Sequence, residues 1–284
     1  MSNAIEISGV NKSFKNFSLN DISFNLPEGY IMGLIGPNGA GKTTVIKLIL
    51  NMLINDSGSI KVFGLDHIQS EEDIKENIGV VFDQAYYLNT WNLRDLEKAV
   101  KIFYKTWDCK KYYHYLKEFG LQENSKIKNL SKGMKMKLMI AVALSHSTKL
   151  LILDEPTSGL DAISRNELLD ILRSYVISED RSILFSSHIT TDLEKIADYI
   201  TYIQKGEIVY TGTRDDLLES YCIIKGDTKD LTEQQKANTT GLVEYPTGFE
   251  GIYPVKQIKG LSPKIITDPA TLDDIIVFTN RRGK

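Results

Sequence analysis

Residues Gly36, Pro37, Asn38, Gly39, Ala40, Gly41, Lys42 and Thr43 run in the order G-x-x-x-x-G-K-[ST]. The chemistry of this spacing is phosphate binding. Glycines let the backbone curl so that successive N–H groups point inward at anionic oxygens, and a helix N-terminus behind them adds unpaired donors and a favourable dipole. Lys42 is expected to reach the β- and γ-phosphates of a nucleoside triphosphate, the Thr43 hydroxyl to hold Mg²⁺, and Thr44 to extend the same cradle. A second cluster, Asp154-Glu155, ends the apolar run Leu150-Leu151-Ile152-Leu153. A buried strand delivers its terminal side chains to the sheet edge where ligands bind, so Asp154 can hold Mg²⁺, directly or through water, and Glu155 can deprotonate an attacking water. A plain strand followed by a helix-capping acid is the simpler alternative for that pair. The third, Leu130-Ser131-Lys132-Gly133-Met134-Lys135, precedes a helical pattern over 136–144 and offers another anion-binding helix N-terminus. The simpler reading of Ser131 is a helix cap.

These groups need a scaffold that brings distant residues together. The segment before the glycine loop, 30–35, reads as a buried strand, and 45–50 after it as a helix. Half-buried strands are expected at 4–8 and 19–26, from alternating apolar and polar residues. Further short strands are expected at 58–64, 78–82, 150–153, 182–185 and 199–203, with a hairpin turn at Lys205-Gly206. From 93 to 144 the apolar spacing is helical and proline is absent. Strands alternating with helices imply an α/β fold whose mostly parallel sheet is covered on both faces. Beyond about 216 the composition changes, strand-like pieces such as Lys264–Thr267 follow, and 271–278 is a short amphipathic helix candidate. The expected division is 1–220 with a helical subdomain at about 85–149, and a small C-terminal α+β domain at 221–284.

The chain has 284 residues and a net charge of −3, which argues against a general nucleic-acid binder. Charge is unevenly spread: residues 98–149 hold 12 Lys and 3 acids, a net of +9. Solvated helix faces explain this most simply, and a basic lobe near anionic lipid or an acidic partner is the functional alternative. Cys109 and Cys222 lack metal-ligand spacing, which suits a reduced cytosolic setting. Neither a secretory leader nor an apolar run of 18 residues is evident.

Residues 4 to about 215 resemble the ATP-binding subunit of an ABC transporter. GPNGAGKT is similar to that family's Walker A loop, LLILDE to its Walker B strand and LSKGMK to its signature loop. Ser158-Gly159-Leu160-Asp161 resembles the D-loop, His188 after the strand SILFS the switch histidine, and Gln84 after IGVVF the glutamine at the edge of the catalytic core and its metal. Phe14 stands where the family places an aromatic on adenine. The resemblance implies a P-loop NTPase core with an antiparallel β subdomain and a helical subdomain. It also implies ATP and Mg²⁺ as cofactors, and head-to-tail pairing of two such subunits. Ser131 and Gly133 would then serve the partner's γ-phosphate, and His188 would act beside Glu155. It further implies an integral membrane permease as partner, no nucleic acid, and a cytoplasmic, membrane-peripheral location. The signature departs from the usual L-S-G-G-Q at Lys132 and Met134, and this SKGMK form resembles exporter-type subunits, several handling peptides, lantibiotics or bacitracin-like compounds. A non-transport ABC ATPase of translation, DNA repair or chromosome handling is the rival. Translation members usually carry two cassettes, and chromosome members separate the Walker motifs by long coiled coils. Here Lys42 and Asp154 lie only 112 positions apart. A P-loop kinase or GTPase leaves LSKGMK unexplained, and no N-K-x-D motif is present.

Overall fold

A computed structural model of the chain describes residues 2–177 and 180–281. Its first compact unit comprises Met1–Asp192 and Ile196–Thr211. It opens with two antiparallel strands, β1 (Asn3–Ser13) and β2 (Ser18–Pro27), whose inward residues alternate with polar ones as a half-buried sheet requires. The chain then enters β3 (Ile31–Ile35), buried at all five positions, and turns through the glycine loop into α1 (Lys42–Ile49). Next come β4 (Ser57–Val62), β5 (Leu65–Asp66), α2 (Glu71–Glu76) and β6 (Ile78–Val81). The proline-free stretch forms α3 (Leu93–Val100), α4 (Cys109–Glu118) and α5 (Lys132–Ala143). Then follow β7 (Leu150–Asp154), α6 (Ala162–Val176), β8 (Ser182–Ser187), α7 (Thr190–Ile196), β9 (Tyr199–Gln204) and β10 (Glu207–Thr213).

Two sheets result among the described residues of this unit. One is four-stranded in the order β2-β1-β4-β5; the other is six-stranded in the order β10-β9-β3-β8-β7-β6. In the larger sheet β9, β3, β8, β7 and β6 pair in parallel. These strands are nearly continuous apolar runs because a parallel sheet is covered on both faces. The strand order decides the site: β3 and β7 flank β8, so the segments leaving all three emerge side by side at one edge. The turn at Lys205 and Gly206 takes φ of 49° and 80°, closing the hairpin read from the sequence.

A second compact unit comprises Leu193–Lys195 and Gly212–Lys284. It holds α8 (Arg214–Ser220), β11 (Tyr221–Gly226), α9 (Glu233–Asn238), β12 (Thr240–Tyr245), β13 (Gly248–Pro254), β14 (Ile266–Pro269) and α10 (Leu272–Arg281). The strands form one sheet in the order β12-β13-β11-β14, and every pairing in it is antiparallel. Cys222, Ile224, Leu231, Phe249, Tyr253 and Ile265 make its core. Within this unit α8 packs against β11.

Histidines without a chemical setting in the sequence prove mixed. His114 is exposed, whereas His67 and His146 are buried packing residues. His146 stacks on Tyr104 with ring centroids 4.0 Å apart, and its Nδ1 lies 3.1 Å from the Glu76 carbonyl oxygen. Burial holds its pKa below the ordinary 6.5, only partly offset by that contact and the Glu76 charge. A group neutral in the fold but protonated when unfolded contributes stability that is present above the unfolded pKa and lost as pH falls towards the folded one. The thermal midpoint should therefore fall as pH drops below 6.5. His146→Gln should flatten that part of the profile, as measured by circular dichroism melts.

Candidate functional site

Backbone sterics make the phosphate loop. A Cβ on Gly36 would stand 2.2 Å from the Ile203 carbonyl oxygen, so only glycine lets the loop lie against β9. Gly41 takes φ 116°, a conformation side chains resist, and there the chain turns into α1. Asn38, Gly39, Gly41, Lys42, Thr43 and Thr44 line a cleft of about 540 Å³ with Asn16, Phe17 and Glu155. Ala40 is buried, and its N–H donates to the Pro37 carbonyl at 3.1 Å, bracing the loop from behind.

Lys42 is only 6% exposed. Its ammonium donates to the carbonyls of Gly36 at 2.7 Å and Pro37 at 3.3 Å, and lies 3.2 Å from Glu155 Oε1. The other Glu155 oxygen, Oε2, lies 2.6 Å from His188 Nδ1 and accepts the His188 backbone N–H at 3.3 Å. One carboxylate is thus held between a cation from the loop after β3 and a histidine after β8. Glu155 itself takes φ 52°, a left-handed conformation costing a non-glycine residue about 1–3 kcal/mol. Its N–H donates to both the backbone oxygen and the Oγ of Ser186, each at 3.1 Å, which fixes this turn.

Asp154 is buried at the end of β7. The Thr43 hydroxyl donates to its Oδ2 at 2.8 Å, and the Ser186 hydroxyl to its Oδ1 at 2.6 Å. The fit to Mg²⁺ is chemical: a hydroxyl and a carboxylate, both hard oxygen donors, converge beside the phosphate cradle. Mg²⁺ characteristically takes one or two protein ligands and completes its shell with water and substrate phosphates, so this pair is sufficient. Ser186, which the sequence reading missed, holds both carboxylate residues. Its signal was the hydroxyl that directly follows the apolar run Ile183-Leu184-Phe185, at the strand end facing the site.

Other sequence candidates fall elsewhere. Phe14 is 44% exposed and stacks on Phe17 at 6.4 Å between centroids, and it is Phe17 that lines the cleft. Gln84 is exposed beyond β6 and does not line the cleft around Lys42. Asp161 caps α6, accepting the N–H groups of Ile163 and Ser164 at 3.0 Å each and the Ser164 hydroxyl at 2.8 Å. Those bonds hold its carboxyl below the usual carboxylate range. Ser131 caps α5 through Met134 N–H at 3.2 Å, and Gly133 packs so closely that a Cβ there would meet Ser164 Oγ at 2.9 Å. None of Phe14, Gln84, Ser131, Gly133 or Asp161 joins Lys42 in its own cleft.

The family model for ABC transporters matches residues 19–158. A lantibiotic transport ATP-binding protein, SrtF of Streptococcus pyogenes, is 37% identical over 208 residues, covering 72% of this chain and 89% of its own. The chain belongs to the ATP-binding subunits of ABC transporters. The bacitracin transport ATP-binding protein BcrA of Bacillus licheniformis is 33% identical over 74% of this chain and 69% of its own. A solved ATP-binding subunit of an ABC transporter superposes with a TM-score of 0.68 at 27% identity, over 75% of this chain and 91% of its own. A dimeric cassette bound to ADP and Pi has the same fold, with a TM-score of 0.65 at 21% identity over 74% of this chain and 98% of its own. The protein is accordingly an ATP-binding, ATP-hydrolysing subunit, and transport rather than a free-standing ATPase role is what its relatives share.

Ser186→Ala removes the hydroxyl shared by Asp154 and Glu155. It should cost about 1–3 kcal/mol in denaturant unfolding, because it strips a partner from a buried carboxylate. ATP hydrolysis should fall more than ATP affinity, read as a larger change in kcat than in nucleotide Kd.

Proposed function

We propose that this ABC subunit is the motor of an exporter and works as one of two such subunits on the cytoplasmic face of a separately encoded membrane permease. The observation that carries the site assignment is Glu155, held at 3.2 Å by Lys42 and at 2.6 Å by His188. In this reading Lys42 and the N–H groups of the Gly36–Thr44 loop bind the triphosphate. Thr43 and Asp154 would hold Mg²⁺, which would offset charge on the phosphates. Phosphate binding draws the Lys42 ammonium off Glu155 Oε1, freeing that oxygen to take a proton from the attacking water. His188 keeps the other oxygen in place. Gln84 would reach the metal's edge of the site, and Phe14 or Phe17 would pack on the base.

Ser131 and Gly133, with the Asp161 turn beside them, would serve the partner subunit's ATP. Their absence from the cleft around Lys42 supports this division, since a helix N-terminus at α5 would otherwise have no anion to meet. Hydrolysis then waits for pairing, because part of the charge stabilisation arrives from the second subunit.

A groove of about 520 Å³ offers the permease its seat. It is lined by Leu50, Met52, Val80, Phe82, Phe103 and Tyr104, with Glu72, Lys75 and Lys105 around it. Phe103 is 76% exposed and its neighbour Ile102 is also exposed, an apolar projection that a permease segment would cover. The names of the relatives, lantibiotic and bacitracin transport, support a peptide-like cargo recognised by the permease. No helix among the described residues is long and apolar enough to cross a membrane, which fits a subunit that reaches the bilayer through a partner. Nucleic acid has no place in this reading. Residues from about 221 onward would form a small accessory domain.

Glu155→Gln should pair in the presence of ATP, seen as a doubling of mass in sedimentation, and should lose nearly all turnover. Normal turnover by that variant contradicts the assigned base. His188→Ala should bind ATP and lose most activity. Phe103→Asp should leave the isolated subunit's ATPase within about twofold of wild type and abolish co-purification with an integral membrane protein from host membranes.

A further inference from the structure

Asp192 lies four residues beyond His188 in α7, is 1% exposed, and neither of its carboxylate oxygens has a hydrogen-bond partner. Arg165, in the first turn of α6, places Nε 3.8 Å from Asp192 Oδ2, and that nitrogen is also buried without a hydrogen bond. A carboxylate withdrawn from water requires a cation or donors beside it, and here the cation comes from a different helix. The two anchor points are informative. Arg165 N–H donates to the Asp161 carbonyl at 3.0 Å, so it belongs to the turn that Asp161 caps. Asp192 N–H meets the Ile189 carbonyl at 3.3 Å, and Ile189 N–H donates to Ser187 Oγ at 2.9 Å, so it belongs to the short segment carrying His188.

The same turn of α6 touches α5. Gly133 has no room for a Cβ because Ser164 Oγ would stand 2.9 Å from it, and the Lys132 ammonium would lie 2.8 Å from a Cβ on Gly159. A continuous packed path therefore runs from Ser131–Gly133, through the first turn of α6, across Arg165–Asp192, to His188 and Glu155.

We propose that the Arg165–Asp192 pair is a positioning joint that fixes the His188 segment to the first turn of α6 and so ties Glu155's histidine to the α5 loop. It rests on the assignment of Glu155 and His188 made above. Neither member of the pair touches ATP. Loosening the joint lets His188 drift from Glu155, and misplacement of a catalytic group by about 1 Å costs up to roughly 100-fold in rate. Nucleotide affinity, set by the Lys42 loop, stays constant.

The test is a cycle on the full chain: Asp192→Asn, Arg165→Met and the double variant. Each is measured for Mg-ATP turnover per folded protein and for Kd of a fluorescent ATP analogue. All three are expected to lose about tenfold or more in kcat with Kd within about twofold. The double loss should be no greater than either single, because the residues act as one unit. Arg165→Lys, which keeps the charge, should retain more activity than Arg165→Met and guards against a single that fails to fold. Wild-type kcat in Arg165→Lys and the double variant, additive losses, or a fall only in folded fraction would overturn the joint. Glu155→Gln in the same series separates the two claims. If it is inactive while the pair variants turn over normally, the joint alone is wrong; if it hydrolyses ATP normally, the site assignment beneath it is wrong.

Discussion

The Glu155 carboxylate must face a lysine and a histidine that arrive from different strands, and most of the core is arranged to let it. Lys42 follows β3, Glu155 follows β7 and His188 follows β8, and the sheet sets β8 between the other two. Parallel pairing gives all three strands the same direction, so their ends open on one edge. The register brings Asp154 opposite Ser186, and from that position one serine hydroxyl holds Asp154 and the Glu155 N–H together. The left-handed φ at Glu155 is the cost of turning its side chain back to Lys42, and the surrounding hydrogen bonds hold it there.

Burial divides the site along the same lines. β3, β7 and β8 are buried along their whole lengths and fix the Walker-type residues against a packed core. His188 is more exposed than Glu155, and the ties of the segment carrying it include Glu155, Ser187 through Ile189, and Arg165 through Asp192.

The sequence was most legible where chemistry demands a fixed local pattern. The glycine loop, the carboxylates at 154 and 155, and the histidine at 188 were each readable because strand, turn and side-chain type are set within a few residues. Strand order was not readable, since buried parallel strands are interchangeable apolar runs until the tertiary fold ranks them. Phe14 and Phe17 show a different limit. Both occupy the short connection between β1 and β2, and only its conformation decides that Phe17 lines the cleft. Asp161 shows a third: an acid before a helix serves equally as a cap and as a contact, and in this chain its carboxylate is already committed to Ile163 and Ser164. Arg165 and Asp192 carried no motif, and their pairing emerges only from helix packing.

The central claim is that each ATP is completed by residues of two chains. It is tested most directly by mixing two inactive variants, Lys42→Ala and Ser131→Arg, with the wild-type chain as reference. A mixed pair then contains one intact composite site, with Lys42 from one chain and Ser131 from the other. The account predicts that the mixture regains a substantial fraction of wild-type ATP hydrolysis although neither variant alone has any. A mixture as inactive as its separate components would contradict it.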